Sequence, residues 1–299
     1  MIGKPNEIKE FEARDEIERV FHEIRQVLRV SGVNLNFRTW ASFEKFLPAM
    51  WDDFRPNAET HNFERAADEI RQQAVESADA LPKLNALDGL ELGGSRSWQI
   101  QQALDLYHYI NPKLLVLTAA VRGALEGEEM GGSNEGTDVI EAGVPATMYA
   151  MEMVDEKPKE KEVRKLFADI KKTMALSSVN SDYRTLALWP DYLSAAWKQL
   201  KPITRSDAFQ EAAKELQQQG RTLAKQLPYR LSLTRAKIEA LGEDVEKIMH
   251  TTQLFEQLLP PLILNIALLQ LDWSSAAELR QSPFPGRSSV KQEVQHAMA

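Results

Sequence analysis

One carboxylate and one amide stand out in this sequence as the side chains best suited to chemistry. VNSDYRTLALW (179–189) is a near copy of VNLNFRTWASF (33–43), and Asp182 of the second stretch stands where the first has Asn36. HYIN (108–111) lies over EQLL (256–259), which pairs Asn111 with Leu259. A carboxylate confined to one copy would give that half a base. An amide just before Pro112 would end one helix and point into a crevice. Both residues also have ordinary structural readings. Asp near a helix start is favoured by the dipole, and a polar residue before proline is a common helix end.

The elements that must position these two side chains come from a repeated unit. Shifting the chain by 146 positions lays IERVFHEIRQVLRVSGVNLNFRTWASFEKFLPAMWDDFRP (17–56) over VRKLFADIKKTMALSSVNSDYRTLALWPDYLSAAWKQLKP (163–202) without a gap. FERAADEIRQQAVESADALP (63–82) then falls on FQEAAKELQQQGRTLAKQLP (209–228). After a two-residue slip, LYHYINPKLLVLTAAV (106–121) falls on LFEQLLPPLILNIALL (254–269). About one position in three is identical, which indicates a tandem duplication. In 17–30 the residues Ile17, Val20, Phe21, Ile24, Val27 and Leu28 follow the spacing of one helix face. The stretches 38–54, 60–80 and 98–125, with their counterparts, are rich in helix formers, and no alternating run marks a strand. The expected architecture is all-α: a helical repeat at 1–126, a partly mobile linker at 127–162, a second repeat at 163–272 and a tail at 273–299. The two repeats pack as an intrachain pseudo-dimer with a crevice between them.

Internal duplication supplies a filter. Residues alike in both copies are read as structural, and polar residues in one copy alone as candidates for a site. Arg38/Arg184, Thr39/Thr185, Trp51/Trp197 and Pro56/Pro202 fall in the first group. Asn34/Asn180 recurs too, before a helix, where Asn is a favoured cap. Asp191 in WPDYL is a rival carboxylate, but Pro190 makes it look like the first turn of a renewed helix. The five His residues show no ligand spacing, and GGSNEG and GLELGG lack the context of a phosphate loop. No metal or nucleotide motif is found.

Composition narrows the classes further. Hydrophobic content of 43% and charged content of 27% over 299 residues suit a globular protein with an ample core. A net charge of −8 argues against general nucleic-acid binding. The chain has no cysteine, which excludes disulfides, thiolate zinc sites and cysteine nucleophiles and favours a reducing compartment. The N-terminal stretch has no apolar core of a signal peptide. LLPPLILNIALLQL, broken by Pro260, Pro261 and Asn265, reads as too short to span a bilayer. A cytoplasmic protein without a membrane or nucleic-acid partner is expected, with homodimers as its assembly.

VNSDYR early in the second repeat and HYINPKLL late in the first resemble the group I 2-haloacid dehalogenases, the D- and DL-specific enzymes that use no cofactor. The resemblance runs from about residue 15 to residue 272. It implies hydrolysis of the carbon–halogen bond at C2 of a short 2-haloalkanoic acid, with inversion. Asp182 matches the residue that activates a water, and Asn111 matches its helper. The water attacks C2 directly, whereas the unrelated L-specific enzymes pass through an aspartyl ester. Phe37 and Asn34 match pocket residues, and by spacing Thr60 and Glu64 match a Thr and a Glu of importance in the family. Helix-entry N–H groups around Ser181, Asp182 and Tyr183 would hold the substrate carboxylate. Phe37, Trp40 and Tyr183 would supply weak donors around the leaving chloride. A Trp is expected at position 34 in members active on both enantiomers, so Asn34 departs from them. Asn at position 180, where those members carry Ala, implies preference for D-2-chloropropanoate. Two alternatives stand beside this reading: a non-catalytic helical ligand-binding or scaffold protein, and a hydrolase of another small acid.

Overall fold

The structure, a computed structural model, describes residues 6–288. The first five residues of the N-terminal stretch and residues 289–299 of the tail, including His296, lie outside the described residues. The regular structure of the described residues is helical, with isolated bridges at Thr60–Val139 and Ile140–Ser288.

The first half holds α1 (Asp15–Val27), α2 (Leu35–Trp40), α3 (Phe46–Ala58), α4 (His61–Asp79) and α5 (Gly94–Leu125). The second holds α6 (Lys161–Thr173), α7 (Ser181–Leu186), α8 (Pro190–Ile203), α9 (Asp207–Lys225), α10 (Arg235–Ala240) and α11 (Val245–Gln270), followed by α12 (Ala276–Leu279). In α1 the apolar spacing buries Val20, Phe21, Ile24 and Val27 on one face. From Leu106 to Val121 every residue of α5 is buried, and α11 is nearly as buried over 259–270. Helices apolar on all sides must be enclosed by others. Here α5 and α11 lie against each other at the centre, with α4 and α9 packed on both.

The 146-residue shift that aligns the sequence also aligns local structure. The bounds of α1 and α6, α2 and α7, and α4 and α9 all differ by that number. Trp51 Nε1 donates to Glu23 at 2.9 Å, and Trp197 Nε1 donates to Asp169 at 2.8 Å. Phe37 meets Trp51 edge-on, as Tyr183 meets Trp197. Ile8 N–H donates to the Arg38 carbonyl and Val154 N–H to that of Arg184. The recurrence therefore begins ahead of residue 15 and of residue 163.

Four expectations are corrected. The stretch 38–54 is not one helix: the chain turns at 41–45 between α2 and α3, and likewise between α7 and α8. Pro112 does not end a helix after Asn111, since α5 runs through it. Proline leaves the carbonyl four residues earlier without its helical donor, and here the buried Arg71 Nε donates to the His108 carbonyl at 3.1 Å. Nor is α11 broken by Pro260 and Pro261; at 26 residues it is long and apolar enough to cross a membrane, but most of that apolar surface is buried inside the protein. The 127–160 segment lacks helices but is tied down rather than loose. Gly132 and Ser133 N–H donate to Leu227, Leu231 N–H to Met130, and Gly143 N–H to Gln26. A Cβ on Gly131 would lie 2.2 Å from the Tyr229 carbonyl oxygen, so this strap needs glycine where it crosses.

Candidate active site

Helices α2 and α7 are only one and a half turns long, too short to be stable by themselves, and their first residues meet at one cavity. Asn34, Leu35 and Asn36 come from α2 and its cap, and Asn180, Ser181 and Asp182 from α7 and its cap. Asn111 and Leu114 of α5 and Phe255, Leu259 and Leu262 of α11 complete the lining. Ten of the eleven residues pair off through the sequence register: Asn34 with Asn180, Leu35 with Ser181, Asn36 with Asp182, Asn111 with Leu259, and Leu114 with Leu262. The cavity thus lies where related elements of the two halves face each other.

Asp182 is 3% exposed, and Asn111 Nδ2 donates to its Oδ2 at 3.4 Å. Burial raises the Asp182 carboxyl to about pH 7, while the Asn111 amide and the residue's own backbone N–H pull it back. An ordinary Asp carboxylate is a weak base; one poised near neutrality takes a proton far better. With its nitrogen turned to Asp182, Asn111 keeps its carbonyl oxygen free to accept from a water. Burial, then the nearby Asp182 charge, raises the Tyr107 and Tyr183 phenols well above their usual range, so both remain protonated. Tyr107 Oη lies 2.7 Å from Thr185 Oγ1, which itself donates to the Glu152 carbonyl. Tyr107 must therefore be the donor of that pair.

Asn34 and Asn180 occupy cap positions, yet neither side chain makes a capping hydrogen bond. Their Oδ1 atoms are buried without a partner, as are both amide atoms of Asn36. Thr60, Ser206, Thr234, Asp244 and Ser275, by contrast, cap their helices through their side chains. Polar atoms buried without partners carry a cost unless something else meets them. The cavity is small, with about 40 Å³ open to the centres of water molecules. A larger cleft, about 830 Å³ by the same measure, shares Leu35, Asn180 and Phe255 with this cavity. Those three residues line both.

Other candidates lie elsewhere. Phe37, Trp40 and Tyr183 do not line the cavity. Successive helix positions point about 100° apart, so Phe37 and Tyr183 turn into the core when Asn36 and Asp182 face the cavity. Phe37 packs on Trp40 and Trp51, Trp40 Nε1 donates to Thr252, and the Tyr183 hydroxyl accepts from Asn265. Thr60 caps α4 and donates to the Asn57 carbonyl. Glu64 pairs with buried Lys113 at 2.5 Å. Asp191 sits in the first turn of α8, half-exposed and paired with Arg96, which, with its backbone contacts, holds it below the usual carboxylate range. Sequence reasoning missed Asn36 as a lining residue, although its pairing with Asp182 carried the signal. It also missed Leu35, Leu114, Phe255, Leu259 and Leu262, whose types say only that they are buried.

A helical protein with a secluded carboxylate–amide pair lining a cavity is the class that fold and site define. A family described as halocarboxylic acid dehydrogenase DehI matches residues 32–183, just over half of the chain, and the chain belongs to that family. An (R)-2-haloacid dehalogenase of Pseudomonas putida is 29% identical over 272 residues, covering 87% of this chain and 89% of the relative. A configuration-inverting 2-haloacid dehalogenase of Alcaligenes xylosoxydans xylosoxydans is 25% identical over 287 residues, 93% and 97% of the two chains. The complex structure of a D-2-haloacid dehalogenase with L-LA superposes with a TM-score of 0.83 at 25% identity, covering 90% of this chain and 96% of the other.

Proposed function

We propose that this enzyme is a 2-haloacid dehalogenase that hydrolyses short 2-haloalkanoic acids to 2-hydroxy acids with inversion at C2. The observation that carries the reading is Asp182, buried against Asn111 with its carboxyl near neutrality. A water held by the Asp182 carboxylate and the Asn111 carbonyl attacks C2 from the side opposite the halogen. Its oxygen bonds to C2, the carbon–halogen electron pair leaves with the halide, and one water proton passes to Asp182. The N–H groups of Ser181 and Tyr183 at the start of α7 would hold the substrate carboxylate, the first intrahelical donor there being Arg184 to Asn180 at 3.1 Å.

We infer a preference for the D-enantiomer from Asn180, which lines the cavity and leaves a buried oxygen unpaired. An apolar group of the L-form pressed against that amide would strand it, at about 1–3 kcal/mol or roughly 5- to 150-fold in kcat/KM. The matching helix bounds and paired contacts support descent of the two halves from one duplicated unit. The strap 127–160 connects them, and a cytoplasmic location fits the cysteine-free chain. The deciding experiment is halide release from pure D- and L-2-chloropropanoate. Release from neither would sink the dehalogenase reading, and equal release from both would remove the enantiomer preference alone.

A further inference from the structure

The cavity lining contributed by α2 has no part in activating water, and it carries an amide with nothing to bind. Asn36 is 3% exposed and lines the cavity, and neither its Nδ2 nor its Oδ1 has a partner. It is the counterpart of Asp182 in the other half. The counterpart of Asn111 is Leu259, so the wall that would repeat the Asp182–Asn111 pair consists of Asn36 and Leu259. An amide kept in the cavity lining at a desolvation cost has a donor available to an anion.

Direct displacement fixes where an anion must appear. Water, C2 and halogen stand in line at the transition state. Water at Asp182 and Asn111 therefore directs the departing halogen away from that pair as charge develops on it, and Asn36 lines the same cavity with an unpartnered amide. A carboxylate at position 36 would repel that charge. An amide of the same shape offers an N–H instead. The difference between the two copies serves both ends of one reaction: Asp where a proton is taken, Asn where an anion departs.

We propose that Asn36 is a catalytic residue whose Nδ2–H stabilises the leaving halide. This rests on the dehalogenase reading, and its test separates the two. Purified wild type and Asn36→Leu are compared for kcat on D-2-chloropropanoate and D-2-bromopropanoate. Removing a donor aimed at developing charge costs on the order of 10²-fold in other enzymes. Loss on the chloro substrate should approach that size, with a several-fold smaller loss on the bromo substrate, because bromide is larger, less charge-dense and a better leaving group. Inhibition by added chloride should weaken in the variant while inhibition by L-lactate stays as it was. Equal losses on both halides, or weakened lactate inhibition with unchanged chloride inhibition, would overturn the proposal. If leucine disturbs the fold, Asn36→Ser keeps a smaller donor and carries the same comparison, with an intermediate chloro-to-bromo ratio expected and an unchanged ratio overturning it. Wild type that releases no halide at all would instead refute the dehalogenase reading beneath it.

Discussion

Replacing Asp182 with Asn should stabilise the folded protein at pH 8 while abolishing turnover. Burial raises the Asp182 carboxyl from 3.8 to about 7, because the charged form has lost water and gained little in return. Between those values the folded chain binds a proton that the unfolded chain has released. Stability therefore falls as pH rises through this window, and the full cost is present above the folded value. At about 1.4 kcal/mol per pH unit the shift corresponds to about 4 kcal/mol, a ceiling that any water entering the cavity lowers. Asn carries no titrating proton and can still meet Asn111. With an unfolding entropy of about 2.1 cal/mol/K per residue over 299 residues, 4 kcal/mol corresponds to roughly 6 °C. The assay is thermal unfolding of both proteins at pH 4 and pH 8, followed by circular dichroism. A variant several degrees more stable at pH 8, and nearly equal to wild type at pH 4, is the expected outcome. Equal melting at pH 8, or the same offset at both pH values, would refute the placement of an ionised carboxylate in a desolvated site.

Three further outcomes follow from the same geometry. The pH profile of kcat/KM should rise through an acid limb near 7, and Asn111→Leu should move the residual limb upward, because the amide lowers the Asp182 value; a flat profile from pH 5 to 8 contradicts both. A single turnover in ¹⁸O-water with excess enzyme should place label in the hydroxy acid at once, whereas label first found in a protein carboxylate would require an ester. Glu64→Gln should melt lower by about 3 kcal/mol in denaturant titration, because it leaves the Lys113 ammonium buried without its ion-pair partner, while kcat of the folded protein stays within about twofold; a large fall in kcat with unchanged stability would return Glu64 to the active site.

The sequence alone determined the helical character, the repeat and the two side chains that now face each other. Amphipathic spacing over 17–30 is a local property that forces one face inward. Comparison of the chain with itself singled out Asp182 and Asn111 because Asp182 is charged where the other half has Asn36, and Asn111 is polar where it has Leu259. Tertiary structure decided the rest. A helix of one and a half turns has no periodicity long enough to say which face is covered, so Phe37, Trp40 and Tyr183 could not be assigned to core or cavity. Pro112 continues a helix instead of ending it because Arg71, 41 positions earlier, meets the carbonyl that proline leaves free. Asn34 and Asn180 look like caps in any local reading, and only the packed cavity shows that their side chains cap nothing. Glu64 and Lys113 find each other across a buried interface, and the carboxyl of Asp182 shifts through the water it has lost. Burial and long-range pairing are sums over neighbours distant in the chain, and those neighbours exist only once it has folded.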